Sequence, residues 1–303
     1  MDSQTGKTSG GGDDGLVLAA VALLWLQLFY SMVPVWRFGE YYEYGWYVPP
    51  IAAFFLYRRW QDRDREKLRK VHGGWVVTVA VLVFPVLLGI RALAGFDPSW
   101  RPPLLLQTAL VVGLTHGLLF LRGGRRLTLE MAPVTVFALS AIPYPFSLEL
   151  KLIALLTDAV VHASATLFNM LGRPVEMIGT KLASLGTEVE VTDGCSGIRS
   201  LQSLLMAGLF FGELFFLRPR QRMVLLGVTA AVVMAVNIGR VMALAQVRFD
   251  RGEHAFEAAH DQIGQIAFLV SAALLFAAAR GLLATQESGR KLVRSTSNTA
   301  ASR

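Results

Sequence analysis

Cysteine is almost absent from this chain: Cys195 is the only one. A single thiol excludes an intramolecular disulfide and any cysteine-cluster metal site. Charge is scarce as well, at 17% of residues against about 25% in soluble domains. Hydrophobic residues make up 53%, mean hydropathy is +0.47, and the apolar residues come in long runs. That combination marks an integral membrane protein. The net charge of +7 does not mark a nucleic-acid binder, because the basic residues sit in short clusters between apolar runs. No internal repeat is present. The start, Met1 to Gly15, has no basic region directly before its apolar run and no small-residue cleavage signal after it, so the first span is expected to be retained.

A helix needs about 20 apolar residues to cross a bilayer. By that measure the chain reads as an all-α polytopic membrane protein with about eight spans: 16–35, 46–57, 74–94, 104–121, 127–142, from just after Cys195 to Leu217, 223–247 and 263–283. The second is short and contains proline. Residues 1–15 and the basic, Ser/Thr-rich tail 284–303 are expected to be disordered, leaving 16–283 as the transmembrane domain.

Lysine and arginine set the orientation, because cytoplasmic loops retain positive charge. Basic clusters occur at Arg58–Lys70, at Arg122, Arg125 and Arg126, at Arg218, Arg220 and Arg222, and at Arg290, Lys291 and Arg294. All fall on one side only when the number of spans is even and the short second one is counted. The reading is a multi-pass protein of the inner (plasma) membrane with both termini cytoplasmic. The opposite side then carries Glu188, Glu190, Asp193, Glu253, Glu257 and Asp261, together with Cys195 and His260. The run 150–171 is apolar enough to suggest a ninth span, but parity argues against it. Lys151, Asp158, His162 and Asn169 interrupt it, which suits an extracytoplasmic amphipathic helix or one packed over the bundle. Glu188 to Thr192 alternates and reads as a short strand or extended segment leading to the cysteine.

Cys195 lies in Asp193-Gly-Cys-Ser-Gly-Ile-Arg199, ahead of the sixth span. Thr192, Asp193 and Gly194 are residues that start helices, which would put the thiol on a first turn, where unpaired N–H groups and the helix dipole favour thiolate. Arg199, four residues on, would add positive field, and Gly197 would let a substrate backbone or another helix approach closely. Packing as a small hydrophobe in a helix, with Ser196 and Gly197 giving tight packing, is the plainer alternative. Arg240 ends Asn237-Ile-Gly-Arg240 late in the seventh span. An arginine there faces a cavity or a partner, or snorkels to headgroups; facing a cavity, it could donate to an oxyanion or a substrate carbonyl. His260, in His260-Asp261-Gln262-Ile263-Gly264, opens the eighth span. An imidazole titrates near neutral pH and could serve the thiol as base and the leaving group as acid, with Glu257 or Asp261 orienting the ring; a solvated loop histidine is the alternative. His254 is the local competitor. His116 and His162 fall in mainly apolar helices, and His72 lies on the cytoplasmic side.

Cys195-Ser196-Gly197, Asn237-x-x-Arg240 and His260-x-x-x-Gly264, in that order, resemble the motifs of the exosortase/archaeosortase family of membrane cysteine transpeptidases. The resemblance extends to Tyr44–Arg59 and to the Gly172-Arg-Pro174 and Gly179 turns, so it covers most of 16–283. It implies an active site at the outer membrane face that cleaves the C-terminal sorting signal of exported proteins. Such a signal joins a motif, a transmembrane helix and a basic tail. It further implies Cys195 as nucleophile forming a thioester, Arg240 as stabiliser and His260 as proton carrier. Ser196, Gly197, Asn237 and Arg199 are supporting candidates. The implied partners are sorting-signal peptides, membrane lipids and a lipid or polysaccharide acceptor, with no metal, cofactor or nucleic acid. Many family members carry an additional soluble C-terminal domain; none is expected after the eighth span here. Two other readings stand beside this one: an intramembrane cysteine protease without transfer, and a transporter with an Arg240/His260 polar pathway.

Overall fold

The computed structural model describes residues 9–39, 41–63, 68–97 and 100–301, with side chains from 14 to 289 within those ranges. The helices are α1 (Ser9–Phe38), α2 (Val48–Asp62), α3 (Gly73–Phe96), α4 (Pro102–Leu139), α5 (Phe146–Met170), α6 (Ile198–Leu214), α7 (Pro219–Arg251) and α8 (Glu253–Ala301). Between α5 and α6 lie three short strands, β1 (Glu176–Ile178), β2 (Lys181–Ser184) and β3 (Thr187–Glu190). The chain divides into two compact units, Met1–Ser147 and Leu148–Arg303.

In the first unit α4 is not one straight rod. Gly124 takes φ 63° and ψ −164°, a region open essentially to glycine alone. The His116 and Thr135 side chains nevertheless meet at 3.1 Å, although 19 residues of straight helix would separate them by about 28 Å. The two halves therefore fold back as a hairpin, and they correspond to the expected spans 104–121 and 127–142. Leu119, Leu127 and Met131 from its two arms share one core with Val17 and Val21 of α1 and Trp60 of α2. Arg63 and Arg122 both pair with Asp14 at the start of α1.

The second unit joins α6, α7 and α8 around Leu204, Leu225, Val233, Leu275 and Ala279. The strands form an antiparallel sheet in the order β1-β2-β3. Leu182 and Val189 point from it into a second core with Val160, Val161 and Phe168 of α5 and with Val241 and Ala245 of α7. Cys195 closes that core.

Among the described residues six helices are long and apolar enough to cross a membrane: α1, α3, α4, α5, α7 and α8. Apart from the small sheet the fold is helical, consistent with the expected all-α polytopic class. The strands are only three or four residues long and are separated by turns containing Gly179 and Gly186, both at positive φ, so periodicity reveals only the last. Several sequence expectations change here. α5 meets the same length and composition measure as the other five. Its buried stripe (Ile153, Leu156, Val160, Val161, Ser164, Phe168) recurs at helical spacing. α2, with 15 residues, and α6, with 17, are shorter than those six. Finally, the segments expected to be disordered are helical where described, with 1–8 and 302–303 outside the described residues. α1 begins at Ser9, and α8 continues to Ala301. Gln286 helps to explain the longer α8: it is buried, accepts from the Arg218 N–H at 3.2 Å and donates to the Phe216 carbonyl at 3.3 Å.

Candidate active site

The cysteine loop is built by local hydrogen bonds. Asp193–Cys195 forms a 3₁₀ turn, with the Cys195 N–H donating to the Thr192 carbonyl at 2.8 Å. The Ser196 hydroxyl donates to the Asp193 carbonyl at 2.6 Å and accepts from the Ile198 N–H at 3.3 Å. Gly197 then turns the chain with φ 85° before α6 begins at Ile198. Glycine is required there twice over: the φ is left-handed, and a Cβ would lie 2.9 Å from the Asn237 amide. That amide donates to the Cys195 carbonyl at 2.9 Å, tying the loop to α7.

This corrects the expected placement of the thiol. Cys195 is not on the first turn of α6, because the left-handed Gly197 separates the 3₁₀ turn from the helix. The helix-dipole argument loses its geometry. Arg199 goes with it: the i, i+4 relation to Cys195 holds only within one helix. Arg199 is exposed, and its backbone carbonyl accepts from Ser203.

Two further helices complete the cluster. His260 Nε2 lies 3.6 Å from Cys195 Sγ and 3.5 Å from Arg240 Nη2. Its Nδ1 lies 3.3 Å from Asp261 Oδ1. A carboxylate accepts only, so this contact favours the Nδ1–H tautomer and leaves Nε2 as acceptor towards the thiol. Asp261 is 92% exposed, so its hold on the ring is weak. Gly264, one turn beyond His260 on α8, faces the Arg240 guanidinium, so that a Cβ there would lie 3.4 Å from Arg240 Nη2. The thiol is buried, with 7% of the residue exposed, while the ring beside it is partly open. The structure therefore brings together Cys195, His260, Arg240, Asn237, Ser196 and Gly197, and leaves Arg199 out. The other histidines have other surroundings: His116 bonds Thr135 in the first unit, His162 pairs with Asp158 on α5, and His254 is exposed.

A family model described as transmembrane exosortase matches residues 36–277, which include every member of this cluster. The chain belongs to the transmembrane exosortase family. Searches of curated proteins and of solved structures each gave no match. Exosortase membership supports a membrane transpeptidase or protease of sorting signals, of cysteine type.

Cys195 and His260 of this cluster line a cleft of about 410 Å³. Its walls include Lys181, Glu188, Glu190, Thr192, Arg248, Glu253 and Phe256, none of which the sequence singled out as site residues. Lys181 Nζ donates to Glu188 at 3.0 Å, and Arg248 pairs with Glu253. The hydrogen bond that Lys181 donates to Glu188, helped by the charges of Glu188 and Glu190, raises the Lys181 amine above its usual 10.5. The alternation in Thr187-Glu-Val-Glu190 was the available signal. It places Val189 in the core and Glu188 and Glu190 on the opposite face. Lys181 and Arg248 come from segments that carry no comparable pattern.

Proposed function

We propose that this chain cleaves the C-terminal sorting signal of exported proteins through a Cys195 thioester and passes the new C-terminus to an acceptor at the outer membrane surface, either a lipid or a polysaccharide. The observation that carries the reading is His260 Nε2 standing within 3.6 Å of both the only thiol and the Arg240 guanidinium. In the acylation step the Cys195 proton moves to Nε2, and the thiolate attacks the scissile carbonyl carbon. Arg240 meets the developing oxyanion. The C–N bond then breaks, and the proton on Nε2 goes to the leaving amine. In the second step an acceptor O–H or N–H gives its proton to Nε2 while its heteroatom attacks the thioester. The C–S bond breaks, and the proton returns to sulfur.

Helix length supports a site at the membrane surface. α7 has 33 residues, about 50 Å at 1.5 Å per residue, against a hydrocarbon core of about 30 Å. Counted from the basic end at Arg220 and Arg222, about 20 residues cross that core, which ends near Arg240. The cluster Arg218, Arg220 and Arg222 at the start of α7, against Arg248 and Arg251 offset by Asp250 and Glu253 at the other, supports an extracytoplasmic location for that other end.

The test follows a tagged exported protein carrying a C-terminal signal in cells that depend on this chain for its processing. Wild type is expected to shorten it, while Cys195→Ala leaves it full length with the enzyme still present in the membrane. Mass spectrometry of a trapped intermediate is expected to find the substrate fragment on Cys195. Normal processing by Cys195→Ala would overturn the reading. A product ending in a free carboxylate rather than an acceptor would convert it to hydrolysis without transfer.

A further inference from the structure

The first unit holds a side-open apolar cavity of about 280 Å³ between α1, α2 and the α4 hairpin, walled in part by buried Val17, Val21, Trp60, Leu119 and Met131. Protein interiors keep few voids larger than a water molecule, and water does not fill apolar ones. The space therefore calls for an apolar occupant. Along α1 the lining runs from Val17 to Phe29, about 18 Å of helix. Spread over that length, the volume is one hydrocarbon chain wide, well short of the 10–12 Å breadth of a helix. Leu26 and Ala53, lining residues that are themselves exposed, open it sideways between α1 and α2.

Charge gathers at one end. Three charged residues sit three positions from a lining residue: Asp14 before Val17 on α1, Arg122 after Leu119 on α4, and Arg63, just past the end of α2, after Trp60. They converge, since Arg63 and Arg122 both pair with Asp14 and the Arg63 guanidinium lies 4.0 Å over the Trp60 ring. The Arg69 N–H donates to the Arg122 carbonyl at 2.7 Å, which brings the exposed Arg69 to this end. Arg125, also exposed, follows at the hairpin turn. From Arg58 to Lys70 the sequence has seven basic residues against three acidic ones.

The geometry points to a binding site for one anionic phospholipid, with an acyl chain in the cavity and its phosphate against Arg69 and Arg125. This site stands independently of the peptidase reading. Phospholipids with brominated acyl chains quench tryptophan on contact, and Trp25 and Trp60 both line the cavity. With the full chain in nanodiscs, brominated phosphatidylglycerol is expected to quench saturably. Its preference over brominated phosphatidylcholine should be about fivefold, the scale of one basic residue near an anionic surface. Ala52→Phe, which fills the cavity, is expected to remove the saturable component. Ala138→Leu, also on the lining, replaces it should that variant not fold. Arg69→Gln combined with Arg125→Gln is expected to keep the quenching and lose the preference. Equal quenching by the two lipids, or saturable quenching that survives the filled cavity, overturns the site.

Discussion

The Asn237 amide donates to the Cys195 carbonyl and packs where a side chain on Gly197 would have to be. One residue of α7 thus fixes both the height of the nucleophile and the turn that follows it. Asn237→Ala leaves a buried carbonyl without its donor, which costs about 1–3 kcal/mol. The expected result is a fall in processing rate of about ten- to a hundredfold with substrate affinity little changed, read from single-turnover kinetics. Unchanged kinetics would show that the loop holds its position without this bond.

Gly197→Ala is expected to do worse than Asn237→Ala. It adds left-handed strain of about 1–3 kcal/mol to a 2.9 Å contact with the Asn237 side chain. The combination Gly197→Ala with Asn237→Ala relieves the contact but not the strain, so it should recover part of the folded protein and little of the rate. Membrane protein yield and processing, measured side by side, separate the two effects.

These residues also show how far the sequence could be read. Cys195, Arg240 and His260 were legible because a lone thiol, a cation late in a span and a histidine at a helix start are each unusual in an apolar chain. Arg199 misled because helical spacing was carried through Gly197, whose left-handed φ breaks the helix. The cleft walls stayed hidden for another reason. Lys181, Glu188, Arg248 and Glu253 look like ordinary solvated charges until the sheet and the α7–α8 junction bring them together. The hairpin in α4 was legible as a break, since Arg122, Gly123, Gly124, Arg125 and Arg126 interrupt the apolar run.

Gly124→Ala tests that hairpin cleanly. Nothing lies within 4 Å of the position a Cβ would occupy, so the only penalty is the backbone conformation, about 1–3 kcal/mol. A lower melting temperature is expected, with activity per folded molecule preserved. A melting temperature equal to wild type would mean that the turn accepts alanine and is not set by glycine.

Lys181 sets a limit on what pH can reveal. Its amine is raised above 10.5 in the fold, so the Lys181–Glu188 pairing is fully present below the unfolded value and is lost only as pH rises through the higher folded one. Between pH 6 and 9 its charge does not change. Lys181→Gln is therefore expected to alter substrate affinity but leave the shape of the pH–rate profile intact. A shift of the midpoint by more than about half a unit would show that Lys181 acts on the proton-transferring groups directly.

The single cysteine also reports the charge of its own cleft. Among the lining residues Lys181 and Arg248 are each paired with a carboxylate, while Glu190 has no ion pair among the described residues. Cationic and anionic methanethiosulfonates of similar size react with one thiol here, so the ratio of their rates measures the local potential without any knowledge of the substrate. Glu190→Gln is expected to lower the cation-to-anion ratio by about threefold, the scale of one charge acting within a Debye length in water. Glu257→Gln, an exposed carboxylate on α8 outside the lining, serves as control and should leave the ratio unchanged. Equal ratios in wild type and Glu190→Gln would mean that Glu190 does not bias which charges reach the thiol; a reduced ratio would direct the search for sorting signals and acceptors towards those carrying positive charge near the scissile bond.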